Sequence, residues 1–515
     1  MSARQTQAKS QEDNVSALEA VINRYDRQEL IQGWDQGKLN RTRVAVIGSG
    51  IIADYVTMGL SALGFGGIEI YGQGKAEQGE YKKGFTQYHG FSTPKAEQAA
   101  DFAAKINPLV KARGINISMS QKENILLLGN PDIVIDTTNN PASKLELIDY
   151  ATRNNSLFIS ISSSDNLSKF GLYNHADNQQ RNQMDLDGVQ RLVNNILFTD
   201  LAGKDQDPIT GMSVSALAVD EARKYVMPLK NEKMLDDVIV HSLYSTKRFD
   251  NSKDMKLLAP DELEGKKILM IGAGALGNFV GLGLAMTRVS DITIMDKDVV
   301  ESTNLNRQPF FYNSVGQAKV PALINELKRI NPSINYKGIV DFIVPGFDEL
   351  FIRDKPDIII DCVDNDRTRA LLNYYSIKYS VPLVSSATSH NSGHVNVSVP
   401  GKTACLDCQR EIDKYALAKH NQQSQQSQSC IHAPQASVVT SNMAVAGLVI
   451  GEVKAVLSPS VYGEPIKREL KYISEDDYRV GSLPINKDYC ECHKDKEKIR
   501  DWPEKMKALY EKAPR

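Results

Sequence analysis

The sequence predicts an α/β protein made of two tandem doubly wound repeats, and three observations carry that prediction. An apolar run, Ile268-Leu-Met-Ile271, flows straight into Gly272-Ala-Gly274-Ala-Leu-Gly277, the pattern of a buried strand turning through glycines into a helix N-terminus. A second apolar run, Ile292-Thr-Ile-Met, ends on Asp296, 19 residues past Gly277. The same arrangement occurs earlier in the chain, where Val46-Ile47-Gly48-Ser-Gly50 lies 224 residues before Met270-Ile271-Gly272-Ala-Gly274.

The repeat extends well beyond the glycines. At the same offset Arg24-Tyr25-Asp26 precedes Arg248-Phe249-Asp250 and Lys95 precedes Lys319, while Ile133-Val-Ile-Asp136 precedes Ile358-Ile-Ile-Asp361 at 225. Each copy ends in a similar helix, Val219-Asp-Glu221-Ala-Arg-Lys and Ile450-Gly-Glu452-Val-Lys. These landmarks divide the 515 residues into a polar tail (1–20), a first repeat (21–235), a second repeat (236–460) with a polar loop at about 409–436, and an extension (461–515). A duplicated unit of this kind folds as a pseudo-dimer of two Rossmann-like repeats.

Composition sets the class. A charged fraction of 24%, a hydrophobic fraction of 41% and a net charge of −2 describe a globular chain with no bulk basic charge, so nucleic acid is not implied. The first fifteen residues lack the apolar core of a signal or anchor. The most apolar stretch, Met443 to Leu457, carries Glu452 and Lys454 and is short for a membrane span. No membrane and a cytoplasmic location are the expectations.

The second repeat carries the chemistry. Gly272, Gly274 and Gly277 let backbone approach an anion at a helix N-terminus, and Asp296 stands where a doubly wound sheet places the acid that grips ribose. Asp298, Asn304, Arg307 and Gln308 follow, with Lys319 eleven residues after Gln308. Two cations and two amides suit a triphosphate better than the pyrophosphate of NAD, because charge moving during nucleotidyl chemistry needs charged donors. Asp364 follows the buried run ending at Asp361 and suits a magnesium ion.

The first repeat is not equipped in this way. Its second strand runs Ile68-Glu-Ile70-Tyr71-Gly72 with no acid at the end, Ala53 takes the third glycine's place, and Glu80, Lys83 and Gly84 stand where the second copy has Asn304, Arg307 and Gln308. Asn139 or Asn140 replaces the magnesium acid. The first copy reads as inactive.

Six cysteines complete the inventory. Cys405-Leu-Asp-Cys408 and Cys490-Glu-Cys492 offer four thiolates for a tetrahedral zinc ion, with His493 as the alternative to Cys492. Cys362 sits at a buried strand and reads as a small core residue. Cys430 differs: it ends the polar, low-complexity run from Lys419 to Ser429, which reads as a flexible loop, and precedes the apolar helix from Val438. An exposed thiol there is placed to act as a nucleophile. His390 and His394 fall at a turn and strand where a structural role is expected. The charged segment from Lys494, with Trp502 and Tyr510 as anchors, reads as a surface helix.

The ordered set Asp296, Asp298, Asn304, Arg307, Gln308, Lys319 and Asp364 resembles the adenylating domain of the ubiquitin-activating enzymes and their molybdopterin- and thiamin-pathway relatives. The resemblance covers roughly residues 20 to 495. It implies binding of ATP with Mg2+, adenylation of the C-terminal carboxylate of a ubiquitin-like protein, and a catalytic role for Arg307 and Lys319. It also implies a finger: Arg24-Tyr25-Asp26-Arg27-Gln28 matches the arm whose second arginine reaches the partner's nucleotide, whereas the second copy reads Arg248-Phe249-Asp250-Asn251-Ser252. Arg27 would thus serve the active half, the alternative being that it caps or packs its own helix. Cys430, with Pro434 after it, resembles the thioester cysteine of the crossover loop, and a conjugating enzyme would then receive the acyl group.

The 21 residues between Cys408 and Cys430 are too few for the large cysteine domain of the eukaryotic enzymes, and the recruiting ubiquitin-like fold is hard to fit after Leu457. A monomeric pseudo-dimer is expected. Three rival readings stand beside this one. A sulfur-carrier adenylyltransferase shares every adenylation residue. A dehydrogenase leaves Arg307, Lys319 and the zinc cysteines unexplained. A scaffold fits the first copy but not the second.

Overall fold

A computed structural model describes residues 24–511 except 77–82, 87–92, 175–189, 191, 192, 236, 244–247, 250–262, 426–434, 475–480, 484 and 486. The first repeat comprises β1 Arg43–Ile47, α1 Ile51–Leu63, β2 Gly67–Tyr71, α2 Lys95–Ile106, β3 Lys111–Ile115, β4 Ile133–Asp136, α3 Pro141–Asn154, β5 Leu157–Ser164, β6 Leu167–Tyr173, α4 Pro208–Val226 and β7 Ile239–Ser242. The second comprises β8 Lys267–Ile271, α5 Ala275–Ala285, β9 Asp291–Met295, α6 Lys319–Ile330, β10 Asn335–Ile339, β11 Ile358–Asp361, α7 Asp366–Tyr379, β12 Leu383–Thr388, β13 Ser392–Ser398, α8 Ile412–Gln425, α9 Val439–Leu457, β14 Glu469–Ile473, β15 Gly481–Leu483 and α10 Trp502–Glu511.

The sheets run β3-β2-β1-β4-β5-β6-β7 and β10-β9-β8-β11-β12-β13-β14-β15. The first five strands of each are parallel and the remainder antiparallel. The chain order reverses between β1 and β4, and between β8 and β11, which opens a crevice beyond the carboxyl ends of those strands. Their residues are buried on both faces (Val44, Val46, Ile268 and Met270 on one, Ala45, Ile47, Leu269 and Ile271 on the other), as continuous apolar runs under helices demand.

The helices α4 and α9 close the two repeats on each other. Gly447 of α9 comes so near α4 that an added Cβ would lie 2.2 Å from Ser213 Oγ, and that hydroxyl donates to Ala444 O at 3.2 Å. The equivalent acids Glu221 and Glu452 each turn back to cap a following segment, accepting from Leu235 N at 2.9 Å and Ile466 N at 3.0 Å. By length and composition α9 resembles a membrane span, longer than the run read from Met443, but 94% of its apolar window is buried inside the protein.

Five elements depart from the sequence reading. The first sheet takes its last strand from Ile239–Ser242, beyond the boundary placed at 235, and β14 and β15 of the extension belong to the second sheet. The supposed loop from Lys419 is helical as far as Gln425. Ile412 and Ala416 anchor its start in the core, and the Lys, Ala and Gln residues that follow propagate a helix already begun. The C-terminal helix is no mere surface element: Trp502, Met506 and Leu509 are buried, with the Trp502 indole stacked on Tyr374 at 4.6 Å.

Candidate functional site

The loop Gly272–Gly277 crosses the crevice between β8 and β11. Gly272 has φ +101°, and a Cβ there would meet Cys362 O at 2.6 Å, so the strand-to-helix turn lies directly against the segment that leads to Asp364. A Cβ on Gly277 would lie 2.2 Å from Gly272 O. By contrast, nothing lies within 4 Å of a Cβ built on Gly274. The glycine at the N-terminus of α5 therefore borders open space.

The polar residues gather at this mouth. Asp296 accepts from Ala273 N at 2.7 Å and Asp298 N at 2.8 Å, tying the end of β9 to the glycine loop. Asp298 pairs with Lys319 at 2.9 Å. Asn304 is buried and closes the turn before it by accepting from Glu301 N at 3.0 Å. Arg307 donates to Thr303 O at 2.7 Å and Asn306 Oδ1 at 2.9 Å. Gln308 is buried, and its Oε1 has no hydrogen-bond partner among the described residues. Asp364 stands exposed three residues past β11, touched by Asn365 Nδ2 at 3.4 Å.

The first repeat contributes Arg27. Its arm is pinned by Asn306 Nδ2 donating to Gln28 Oε1 at 3.2 Å and by Ser437 N donating to Arg27 O at 3.2 Å. Burial lowers the Arg307 guanidinium to about 10, with the neighbouring Arg27 guanidinium as the next cause. Among the described residues Arg27 makes no hydrogen bond or ion pair through its side chain. Two neighbouring guanidiniums are a donor set that suits a polyphosphate.

The same place in the first repeat is filled. Gln206 Oε1 accepts from Ile52 N at 3.2 Å, and its Nε2 donates to Thr137 O at 2.5 Å, so the amide lies across the turn. A Cβ on Gly50 would lie 2.5 Å from Gln206 Oε1. Gly72 occupies the position of Asp296, and a Cβ there would meet Ser49 Cβ at 2.3 Å. Register decides between the two asparagines. Asn140 caps α3 as Asn365 caps α7, which leaves Asn139 opposite Asp364. The Asn139 side chain is spent on Ser163 O and Lys204 O, at 2.7 and 2.8 Å.

A second cluster lies apart from the crevice. The sulfurs of Cys405, Cys408, Cys490 and Cys492 are all within 4.8 Å of one another, those of Cys408 and Cys492 at 3.7 Å. Zn–S bonds of about 2.3 Å in a tetrahedron need sulfurs about 3.8 Å apart, so the set fits zinc. His493 faces Ser398 Oγ at 3.2 Å instead.

Cys430, Pro434, Glu80 and Asn251 lie outside the described residues. Cys362 is buried, and burial pushes its thiol well above the ordinary range. Burial, together with Arg410 and Arg369, lowers His394 to about 3 and keeps it neutral. Sequence reasoning missed Gln206, which no local pattern marks. It also missed Arg369, which the 225-residue offset pairs with Lys144.

Fold and site together define a tandem doubly wound α/β protein with one open and one closed glycine cradle. The ThiF family model matches residues 25–256 and again 251–494, and the chain belongs to that family, carrying its domain twice. It is similar to protein HesA of Leptolyngbya boryana, 29% identical over 151 residues (29% of this chain, 54% of the relative). It is also similar to the adenylyltransferase and sulfurtransferase uba4 of Aspergillus niger, 35% identical over 138 residues (26% and 28%). A third relative, ubiquitin-like modifier-activating enzyme 5 of Dictyostelium discoideum, is 27% identical over 193 residues (35% and 50%). The chain thus spans between about a quarter and a little over half of the length of these relatives.

Proposed function

We propose that the protein activates the C-terminal carboxylate of a small ubiquitin-like protein by adenylation in its second repeat. The observation that carries this reading is the asymmetry of the two cradles: a Cβ on Gly274 meets open space, whereas the counterpart at Gly50 is closed by Gln206. ATP, bound with Mg2+, supplies an electrophilic α-phosphorus and a pyrophosphate leaving group. The N–H groups after Gly272, Gly274 and Gly277 would hold phosphate oxygens, Asp296 the ribose, and Asp364 the metal. A carboxylate oxygen of the carrier attacks the α-phosphorus, the P–O bond to pyrophosphate breaks, and an acyl-adenylate forms. Arg307, Lys319, Asn304, Gln308 and Arg27 would meet the charge gathering on the phosphates, and Asp298 holds Lys319 in reach.

In the second step, the Cys430 thiolate would attack the acyl carbon, releasing AMP and leaving a thioester for a conjugating enzyme. Complementary decay of the repeats supports this ubiquitin-type reading. A sulfur-carrier adenylyltransferase that stops at the adenylate is the second reading, favoured by relatives such as uba4 whose name joins adenylyl transfer to sulfur transfer. The test is ATP–pyrophosphate exchange with carriers ending in Gly-Gly, beside a non-reducing gel of wild type and Cys430→Ala. Exchange with an adduct that thiols cleave and Cys430→Ala lacks supports the first reading. Exchange with no adduct moves the assignment to the second. No exchange with any carrier overturns both.

A further inference from the structure

We propose that Arg369 is a positioning residue that holds the loop 362–365 so that Asp364 faces the glycine cradle, an inference that rests on the reading of Asp364 as the metal acid. Arg369 is buried in the first turns of α7 and spreads its donors over the whole loop. Its Nε pairs with the buried Asp361 at 3.3 Å, Nη2 donates to Ser386 O at 3.0 Å and to Val363 O, and Nη1 reaches Asp366 at 3.3 Å. Asp361 completes the frame by accepting from Val363 N at 3.0 Å and from Ser385 Oγ at 2.6 Å. The residue before Asp364 is thus fixed at both its N–H and its C=O.

The first repeat shows what is lost without the arginine. Lys144 stands 225 residues before Arg369, pairs with Asp136 at 3.5 Å, and donates to Ile161 O at 3.0 Å. Asp136 and Ile161 are the counterparts of Asp361 and Ser386. The lysine therefore keeps the ion pair and the strand contact, which suffice for the fold. It makes no bond to Thr138 O, the counterpart of Val363 O, because a single ammonium lacks the planar fork that spreads over several partners at once. The copy with a free cradle has the fork, and the copy with a filled cradle has the ammonium.

Arg369→Lys therefore imports the first repeat's own arrangement and tests the idea in the full chain. Three quantities are read: the melting temperature, hydrogen exchange over 362–366, and Mn2+ affinity in the presence of a non-hydrolysable ATP analogue, from the free-Mn2+ paramagnetic signal. The expected result is a melting temperature within a few degrees of wild type, faster exchange confined to 362–366, and Mn2+ affinity about 10–100-fold weaker, the usual cost of a lost outer-shell partner. Unchanged exchange and affinity would overturn the proposal. So would a drop in melting temperature with protection lost throughout and no excess at 362–366, which would make Arg369 a fold residue alone. Asp364→Ala is the control: if it leaves Mn2+ binding intact, the metal reading fails, and the exchange data still decide whether Arg369 fixes the loop.

Discussion

Phe85 and Phe310 meet edge to face across the boundary between the repeats, their ring centroids 6.2 Å apart and their planes at 69°. They are counterparts, 225 residues apart, and each hangs its own N–H on a buried side chain of the preceding helix. Phe310 N donates to Asn278 Oδ1 at 3.3 Å, whereas Phe85 N donates to Asp54 Oδ2 at 2.8 Å. Asp54 also accepts from Thr86 N at 3.2 Å and Thr86 Oγ1 at 2.9 Å. One repeat uses an amide at this point, and the other a carboxyl.

That difference predicts a pH dependence. Burial pushes the Asp54 carboxyl up to about 7, against the opposing pull of the Thr86 and Phe85 bonds and the Lys95 charge. The folded chain then keeps a proton that the unfolded chain releases near pH 4, so stability falls as pH rises from about 4 to about 7. Asp54→Asn copies Asn278 and removes this slope. Denaturant unfolding at pH 8 is expected to show the variant more stable by on the order of 1–4 kcal/mol, with the gap closing near pH 4.

Gly274→Ala separates folding from binding. The open space above this glycine accepts a methyl group, so the melting temperature is expected to match wild type. ATP affinity, followed by isothermal titration, falls by tenfold or more on the order expected when backbone can no longer approach a phosphate. Wild-type affinity would show that phosphates sit elsewhere.

Arg27→Ala tests whether the two repeats share one site. Among the described residues its guanidinium pairs with no carboxylate, so little stability is at stake. Pyrophosphate exchange is expected to drop by about 10²–10³, the usual loss for one preorganised donor. A change below threefold would leave Arg27 as a packing residue of its own turn.

Cys490→Ser tests the zinc site. Wild type is expected to contain one zinc per chain by elemental analysis, and the variant less than half of that. Since metal affinity for a folded site is also folding free energy, melting should fall by roughly 5–10 °C. Metal-free wild type with an unchanged melting temperature would contradict the assignment.

Much of this was written in the sequence because duplication prints each landmark twice. The strands under the glycines are continuous apolar runs, and the constant offset placed both sheets before any contact was known. Residues whose roles depend on distant partners were not legible. Gln206 lies 156 residues after the glycine it covers, and nothing in its neighbourhood signals that contact. The helix through 419–425 was hidden because its support comes from Ile412 and Ala416, ahead of the polar run. Strand β7 lies past the boundary drawn at 235 because four residues with little amphipathic pattern depend on β6 for their pairing. Arg369 was within reach, since the offset sets it beside Lys144, but its meaning lies in acceptors that the sequence does not show.

The amide of Gln206 has a consequence for how the two halves respond to supply. A ligand mimic carried on the same chain arrives at an effective concentration that no solute matches, so the cradle it fills is saturated from the moment the chain folds. On the proposed function the other cradle would depend on the surrounding pool of nucleotide. One cradle is thus permanently filled and the other, on that function, only conditionally, and added nucleotide would stiffen a single repeat against a partner that is already set.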